Sequence, residues 1–171
     1  MKIYLAGLIL SVAAAQAVPR PSPAVVDSCM RTESVSPKVQ YSSITADAFQ
    51  VTEDEEAGKT GITLKYGPDT VGIWEVKKKK VFGLVLNGKE TSLTRVIRLD
   101  KFQSPTAFNP YEAIWGEARE GDKSYICATF NFDGLGKSGN FQNVRGLYLI
   151  ERYAKPGATF YTSGNIAVNE K

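Results

Sequence analysis

The dipeptide Asn87-Gly88 stands between two runs rich in apolar and β-branched residues, Val81-Phe82-Gly83-Leu84-Val85-Leu86 and Thr91-Ser92-Leu93-Thr94-Arg95-Val96-Ile97-Arg98. Asn-Gly supplies the two positive-φ positions of a type I′ hairpin, so the two runs are expected to pair as antiparallel strands. The same punctuation recurs along the chain at roughly ten-residue intervals, which is the all-β pattern. Gly67-Pro68-Asp69 separates Ile62–Tyr66 from Val71–Val76, and Glu120-Gly121-Asp122 separates Ala113–Glu117 from Ser124–Phe130. Lys155-Pro156-Gly157 separates Gly146–Tyr153 from Ala158–Ile166. With Val39–Ile44 and Ala48–Thr52 added, about ten short strands result, and no segment after residue 17 carries a helical period of useful length. The expected fold is a single antiparallel β-barrel or β-sandwich, two closures that the residues leave open. Val81–Leu86 and Leu147–Ile150 are apolar on both faces and should be central strands.

Residues 1–17, MKIYLAGLILSVAAAQA, carry one early positive charge, an apolar run from Ile3 to Ala15 and a small-residue end at Ala15-Gln16-Ala17. This reads as a secretory signal peptide. The apolar run is about 13 residues, short of the roughly 20 that a transmembrane helix needs. Residues 18–27 are Pro-rich and read as a spacer, leaving residues 28–171 as one domain, enough for a single core. Lys2 leaves with the signal peptide, so 20 Lys and Arg remain against 18 Asp and Glu, a balance that selects no partner class.

An exported chain with two cysteines is expected to join them, and a bond between Cys29 and Cys127 would tether the start of the domain to a central strand. The chain has no Asn-x-Ser/Thr sequon, so no N-glycan is expected. It also has no histidine. Serine and cysteine nucleophile systems that use a histidine base are therefore excluded, as are histidine-rich zinc and copper sites, and no metal or cofactor is expected. Carboxylate chemistry survives. Glu75, Glu112, Glu117 and Glu151 lie in or beside apolar runs and are the candidates for an acid pair, although their spacing brings no two of them together. Gly134-Leu135-Gly136-Lys137-Ser138-Gly139 lacks the Walker ending and reads as a loop. Trp74, Trp115, Phe130, Phe132, Phe141, Tyr148, Phe160 and Tyr161 are core or cross-strand residues on this pattern, with one or two available to line a pocket.

Lys77-Lys78-Lys79-Lys80 interrupts what would otherwise be a strand from Val71 to Leu86, roughly 50 Å at about 3.3 Å per residue and too long for this domain. The run must break, and four adjacent ammonium groups can all stay in water only at a turn or bulge. Lys77, Lys78, Lys79 and Lys80 are thus either a solvated corner that protects a sheet edge or a docking patch for an anionic partner. Export argues against a nuclear address, and no nucleic acid is expected as partner.

The plan of a signal peptide, a Pro-rich spacer, a small β-domain and one distant cysteine pair resembles small secreted effector and elicitor proteins of filamentous fungi. These include cell-death-inducing elicitors and the ToxA-like β-sandwich group. Asp27-Ser28-Cys29-Met30 and Ser124-Tyr125-Ile126-Cys127-Ala128 occupy positions comparable to the bonded cysteines of that group. The chain differs in carrying 44 residues after Cys127 and in having Arg119-Glu120-Gly121-Asp122 where that group has an Arg-Gly-Asp loop. Separately, residues 136–146, with their glycines, Phe141 and Arg145-Gly146, are similar to a hairpin of allene oxide cyclase and dirigent-type β-barrels. The first resemblance implies a secreted, non-enzymatic effector or elicitor that binds a host protein or cell-surface component. The second implies a β-barrel that binds a small apolar ligand and guides its cyclisation or isomerisation. N-terminal sequencing of the secreted protein should return Val18 or a residue close to it, and a product that begins at Met1 would remove the argument for export.

Overall fold

The computed structural model of the chain describes residues 18–45, 49–132, 144–153 and 157–165. Residues 1–17, read above as a signal peptide, lie outside the described residues, as do Ala48, the glycine-rich stretch 134–139, Phe141, Lys155-Pro156 and most of the 136–146 segment. Eleven strands are described: β1 (Gln40–Ser43), β2 (Gln50–Asp54), β3 (Lys59–Tyr66), β4 (Asp69–Val76), β5 (Val81–Leu86), β6 (Lys89–Ser92), β7 (Ile97–Arg98), β8 (Ile114–Glu120), β9 (Lys123–Asn131), β10 (Val144–Glu151) and β11 (Thr159–Asn165). They form two sheets, a six-stranded one in the order β1-β8-β9-β10-β11-β7 and a five-stranded one in the order β2-β3-β4-β5-β6. Among the described residues neither sheet closes on itself, so the architecture is a sandwich and the barrel alternative falls. Closure would need the outer strands to pair with each other, but β1 crosses to β8 instead of continuing into β2.

The expected hairpins form in register. Asn87 and Gly88 have φ of 53° and 74°, and Leu86 pairs with Lys89 across them. The run Thr91–Arg98 is not one strand. A 3-10 turn at Leu93–Arg95, capped by the Ser92 hydroxyl, carries the chain from β6 in one sheet to β7 in the other, where it pairs parallel to β11. Leu147–Ile150 lies in β10, which sits between β9 and β11.

Facing residues of the two sheets bury the main core. Leu64, Val71, Ile73 and Leu84 of the five-stranded sheet meet Trp115, Ile126, Phe130, Tyr148 and Ile150 of the six-stranded one. The gap between them is filled by Phe108, which comes from the connection between β7 and β8 rather than from any strand. Its ring stacks on Phe130 at 4.6 Å and on Tyr148 at 5.7 Å, and lies 6.1 Å from Phe82 and from Trp115. Two donors hold this connection in place: Tyr148 Oη donates to the Thr106 carbonyl at 2.6 Å and Trp115 Nε1 to that of Pro110 at 3.2 Å. Burial pushes the Tyr148 phenol well above its ordinary pKa, so it stays a donor.

The other face of the six-stranded sheet is covered by a helix that the sequence pattern did not suggest. The segment read as a spacer at 18–27 becomes, from Pro23 onward, the helix α1 (Pro23–Arg31). Proline is tolerated at the first helical position because its missing N–H would have no partner there. The Ser22 hydroxyl accepts from Val25 N at 3.2 Å and donates to Glu120 Oε1 at 2.9 Å, capping the helix and fixing it to β8. Val25, Ser28 and Cys29 fall three and four residues apart, make one buried stripe and pack against Ala118, Tyr125, Leu147 and Phe160. Nine residues are too few for this stripe to stand out as a period in sequence. Cys29 and Cys127 are bonded, with their Cα atoms 5.8 Å apart, and Thr129 Oγ1 donates to the Cys29 carbonyl beside them. At the far end Arg145 Nη1 donates to the Met30 carbonyl at 2.8 Å, a cation at a helix C-terminus.

Breaking the bond by Cys127→Ser should cost about 4.7 kcal/mol, as a sequence separation of 98 residues gives in the chain-entropy model. That corresponds to a fall in melting temperature of roughly 10 °C for a domain of this size. Thermal denaturation of the variant, with thiol counting on the unreduced wild type, checks it. Two alkylatable cysteines in the native protein would contradict the bond.

Candidate functional site

The five-stranded sheet packs only one face against the core. Its other face carries Lys59, Gly61 and Thr63 of β3, Thr70, Gly72 and Trp74 of β4, and Gly83 and Val85 of β5, because strand side chains alternate. Trp74 pairs with Gly61 on one side and Gly83 on the other. A Cβ on Gly83 would lie 2.6 Å from the indole, so the ring can lie down on β5 only where that side chain is missing. Of these, Lys59, Gly61, Thr63, Thr70, Trp74 and Val85, with Gln50 and Thr52 of β2 and Glu90 of β6, line a recess of about 420 Å³ across the sheet. Trp74 is 9% exposed, and its indole N–H is buried with no hydrogen-bond partner. Lys59 lies over the ring, its Nζ 4.9 Å from the centroid, and is ion-paired to Glu90 across the recess.

The four lysines form a hairpin turn. Lys77–Lys79 are a 3-10 turn, Lys80 takes a left-handed φ of 51°, and Val76 pairs with Val81 beneath them. All four are exposed, as the solvated-corner reading requires. They are not an isolated cationic patch. Glu53, Asp54 and Glu55 of the acidic block share a shallow surface groove with Lys77 and Lys78, and Lys77 Nζ lies 3.9 Å from Glu75. Acid beside base weakens the attraction that the run would otherwise exert on an anionic partner.

The four candidate carboxylates do not converge. Glu112 is exposed, Glu75 faces Lys77, and Glu151 accepts from the backbone N–H of Ala158 at 3.2 Å. Glu117 is fully buried and saturated. Its two oxygens accept from Arg119 at 2.8 and 2.9 Å, from Tyr66 Oη at 2.8 Å, from Arg152 Nη1 at 2.6 Å and from the Ser124 hydroxyl. Arg152 also pairs with Asp69, which in turn accepts from the side-chain amide of Asn87. The Arg152 guanidinium lies 5.5 Å from the Tyr66 ring and 4.8 Å from that of Tyr153. Burial raises the Glu117 pKa, but the donors from Arg119, Ser124, Tyr66 and Arg152 outweigh it and bring it down to about 2. A carboxylate with every lone pair engaged and no route to solvent is a structural anion, neither a general acid nor a nucleophile. Sequence reasoning placed Glu117 among apolar residues but had no signal for Tyr66, Asp69 or Arg152, which lie 35 to 51 residues away.

Among the described residues no group of three or more histidine, cysteine, aspartate or glutamate side chains could hold a metal ion, and no helix is long and apolar enough to cross a membrane. Compared with family models, curated proteins and solved structures, the chain gives no match to any of them.

Because the folded-state pKa of Glu117 lies below its ordinary 4.5, its contribution to stability is present in full above that value and lost as pH falls towards about 2. Glu117→Gln should destabilise the protein at neutral pH by about 3 kcal/mol, since it leaves Arg152 buried without its full charge partner. Denaturant melts between pH 7 and pH 2 should show a shallower acid limb for the variant than for wild type.

Proposed function

We propose that the protein is a secreted, non-enzymatic effector or elicitor that acts by binding a host protein or cell-surface component through its exterior. The observation that carries this reading is the filling of the space between the sheets. Phe108, Phe130, Tyr148, Trp115 and Tyr161 occupy it as a continuous layer of rings, while the recess over Trp74 lies outside, on the free sheet face. A protein that enclosed a small apolar ligand would need that interior empty. The cyclase or isomerase alternative therefore has no support in the packing. Catalysis has none either: the chain lacks histidine, its cysteines are bonded, and the fully buried carboxylate of Glu117 is saturated. The bond between helix and sheet, and the first residues of the chain, support export.

Purified mature protein infiltrated into plant tissue should cause cell death or defence activation that prior heat denaturation of the reduced protein abolishes. Replacing Lys77, Lys78, Lys79 and Lys80 together by Ser should leave the melting curve within about 0.5 kcal/mol of wild type and leave the response intact. No response to the native protein in any host tissue would overturn the reading.

A further inference from the structure

The recess on the free face has features that a plain solvated sheet lacks. From β2 to β6 it crosses four inter-strand steps of about 4.8 Å, roughly 19 Å in all, so it suits an extended chain rather than a single small molecule. Its floor is the indole of Trp74, which fills the space that a side chain on Gly83 would take, with Gly61 beside it under the Thr52 hydroxyl. Its rim is hydrogen-bonding and short: Gln50, Thr52, Thr63 and Thr70, with Glu90 at the far end. The buried indole N–H has no partner of its own.

We infer that this trough binds a neutral glycan chain, with Trp74 as the surface on which one sugar ring stacks. A pyranose presents a face of C–H groups to an aromatic ring and a rim of hydroxyls to the polar groups around it, which is the distribution found here. Charge narrows the choice. Glu53, Asp54 and Glu90 line the recess against the single cation Lys59, so an anionic polymer would be repelled. A basic peptide would have to take Glu90 from Lys59, which is tethered in place and therefore present at high effective concentration. A neutral ring asks for less. Lys59 and Glu90 have side chains 27% and 42% exposed, and an exposed pair of this kind holds its cover over the indole weakly.

This inference deepens the function proposed above and rests on it for the premise that recognition takes place on the outside of the sandwich. The test is titration of the mature, oxidised protein with laminarihexaose, cellohexaose and chitohexaose, read by calorimetry and by tryptophan emission. Trp115 is buried in the core and hydrogen-bonded to Pro110, so a change in emission reports Trp74. At least one oligosaccharide should bind and shift the emission. Trp74→Ala should weaken binding by about two- to tenfold, the range that one aromatic stacking contact supplies. Lys59→Ala, which removes the cover and leaves the indole in place, should tighten binding, and it serves as the decisive variant if Trp74→Ala does not fold. Failure of all three oligosaccharides to bind, binding unchanged in Trp74→Ala, or binding of an oligolysine peptide in their place would each overturn the inference. A tissue response that persists without glycan binding would overturn this inference alone and leave the effector reading standing.

Discussion

The buried anion at Glu117 governs how the two sheets sit on each other. A carboxylate withdrawn from water is tolerable only if its charge and lone pairs are met, and here they are met from both layers. Ser124 comes from β9 of the six-stranded sheet and Arg152 from the residue just after β10, whereas Tyr66 comes from the five-stranded sheet. Arg152 reaches on to Asp69 at the tip of the β3–β4 hairpin, and Asn87 joins that tip to the neighbouring β5–β6 turn through Asp69 and the Thr70 N–H. A pair of this kind adds little net stability over apolar residues of the same volume, but removing one partner is costly. Its effect is positional. Any sliding of one sheet over the other would separate buried charges, whereas an apolar interface alone would tolerate several alignments.

The two sheets are buried unequally, and this asymmetry is what leaves a surface for recognition. The six-stranded sheet is covered on one face by its partner and on the other by α1, which the bond from Cys29 to Cys127 and the donors from Ser22, Thr129 and Arg145 hold in place. Its central strand β9 accordingly has seven consecutive buried residues from Ser124 to Phe130. Among the described residues the five-stranded sheet has no second cover. An indole on an uncovered face would normally stand up from it, but the missing side chain at Gly83 lets Trp74 lie flat and form a floor. Lysines and acids gather at the hairpin end beside it, where each moderates the field of the other.

What could be read in the sequence was whatever local rules determine. Asn87-Gly88 specified its turn because only a few residues accept two successive positive φ angles. The lysine run specified a break because charge cannot be buried unpaired on alternate faces of a strand. Two cysteines alone in a chain can only pair with each other or remain free, and Cys29 and Cys127 pair. The strands themselves were visible through β-branched runs between turn residues, with the boundary near Leu93 missed because a 3-10 turn of three residues leaves no period.

Tertiary structure decided the rest, since each of those features depends on residues far apart in the chain. Phe108 gives no sign in its own neighbourhood, Thr106-Ala107-Phe108-Asn109, of becoming the centre of the core, and it does so because Tyr148 and Trp115 draw its loop inwards. The helix α1 is too short to stand alone and exists because a sheet face needed cover, as the general cost of helix nucleation implies. Sandwich rather than barrel followed from which edges found partners. The Glu117 cluster and the Trp74 trough are both assembled across strands, from residues whose chemistry is ordinary one at a time. The sequence by itself determined the Asn87-Gly88 turn, the break at the lysines and the absence of histidine chemistry. The placing of charge inside and of an aromatic floor outside came only with packing, because burial and juxtaposition are properties of the folded chain as a whole.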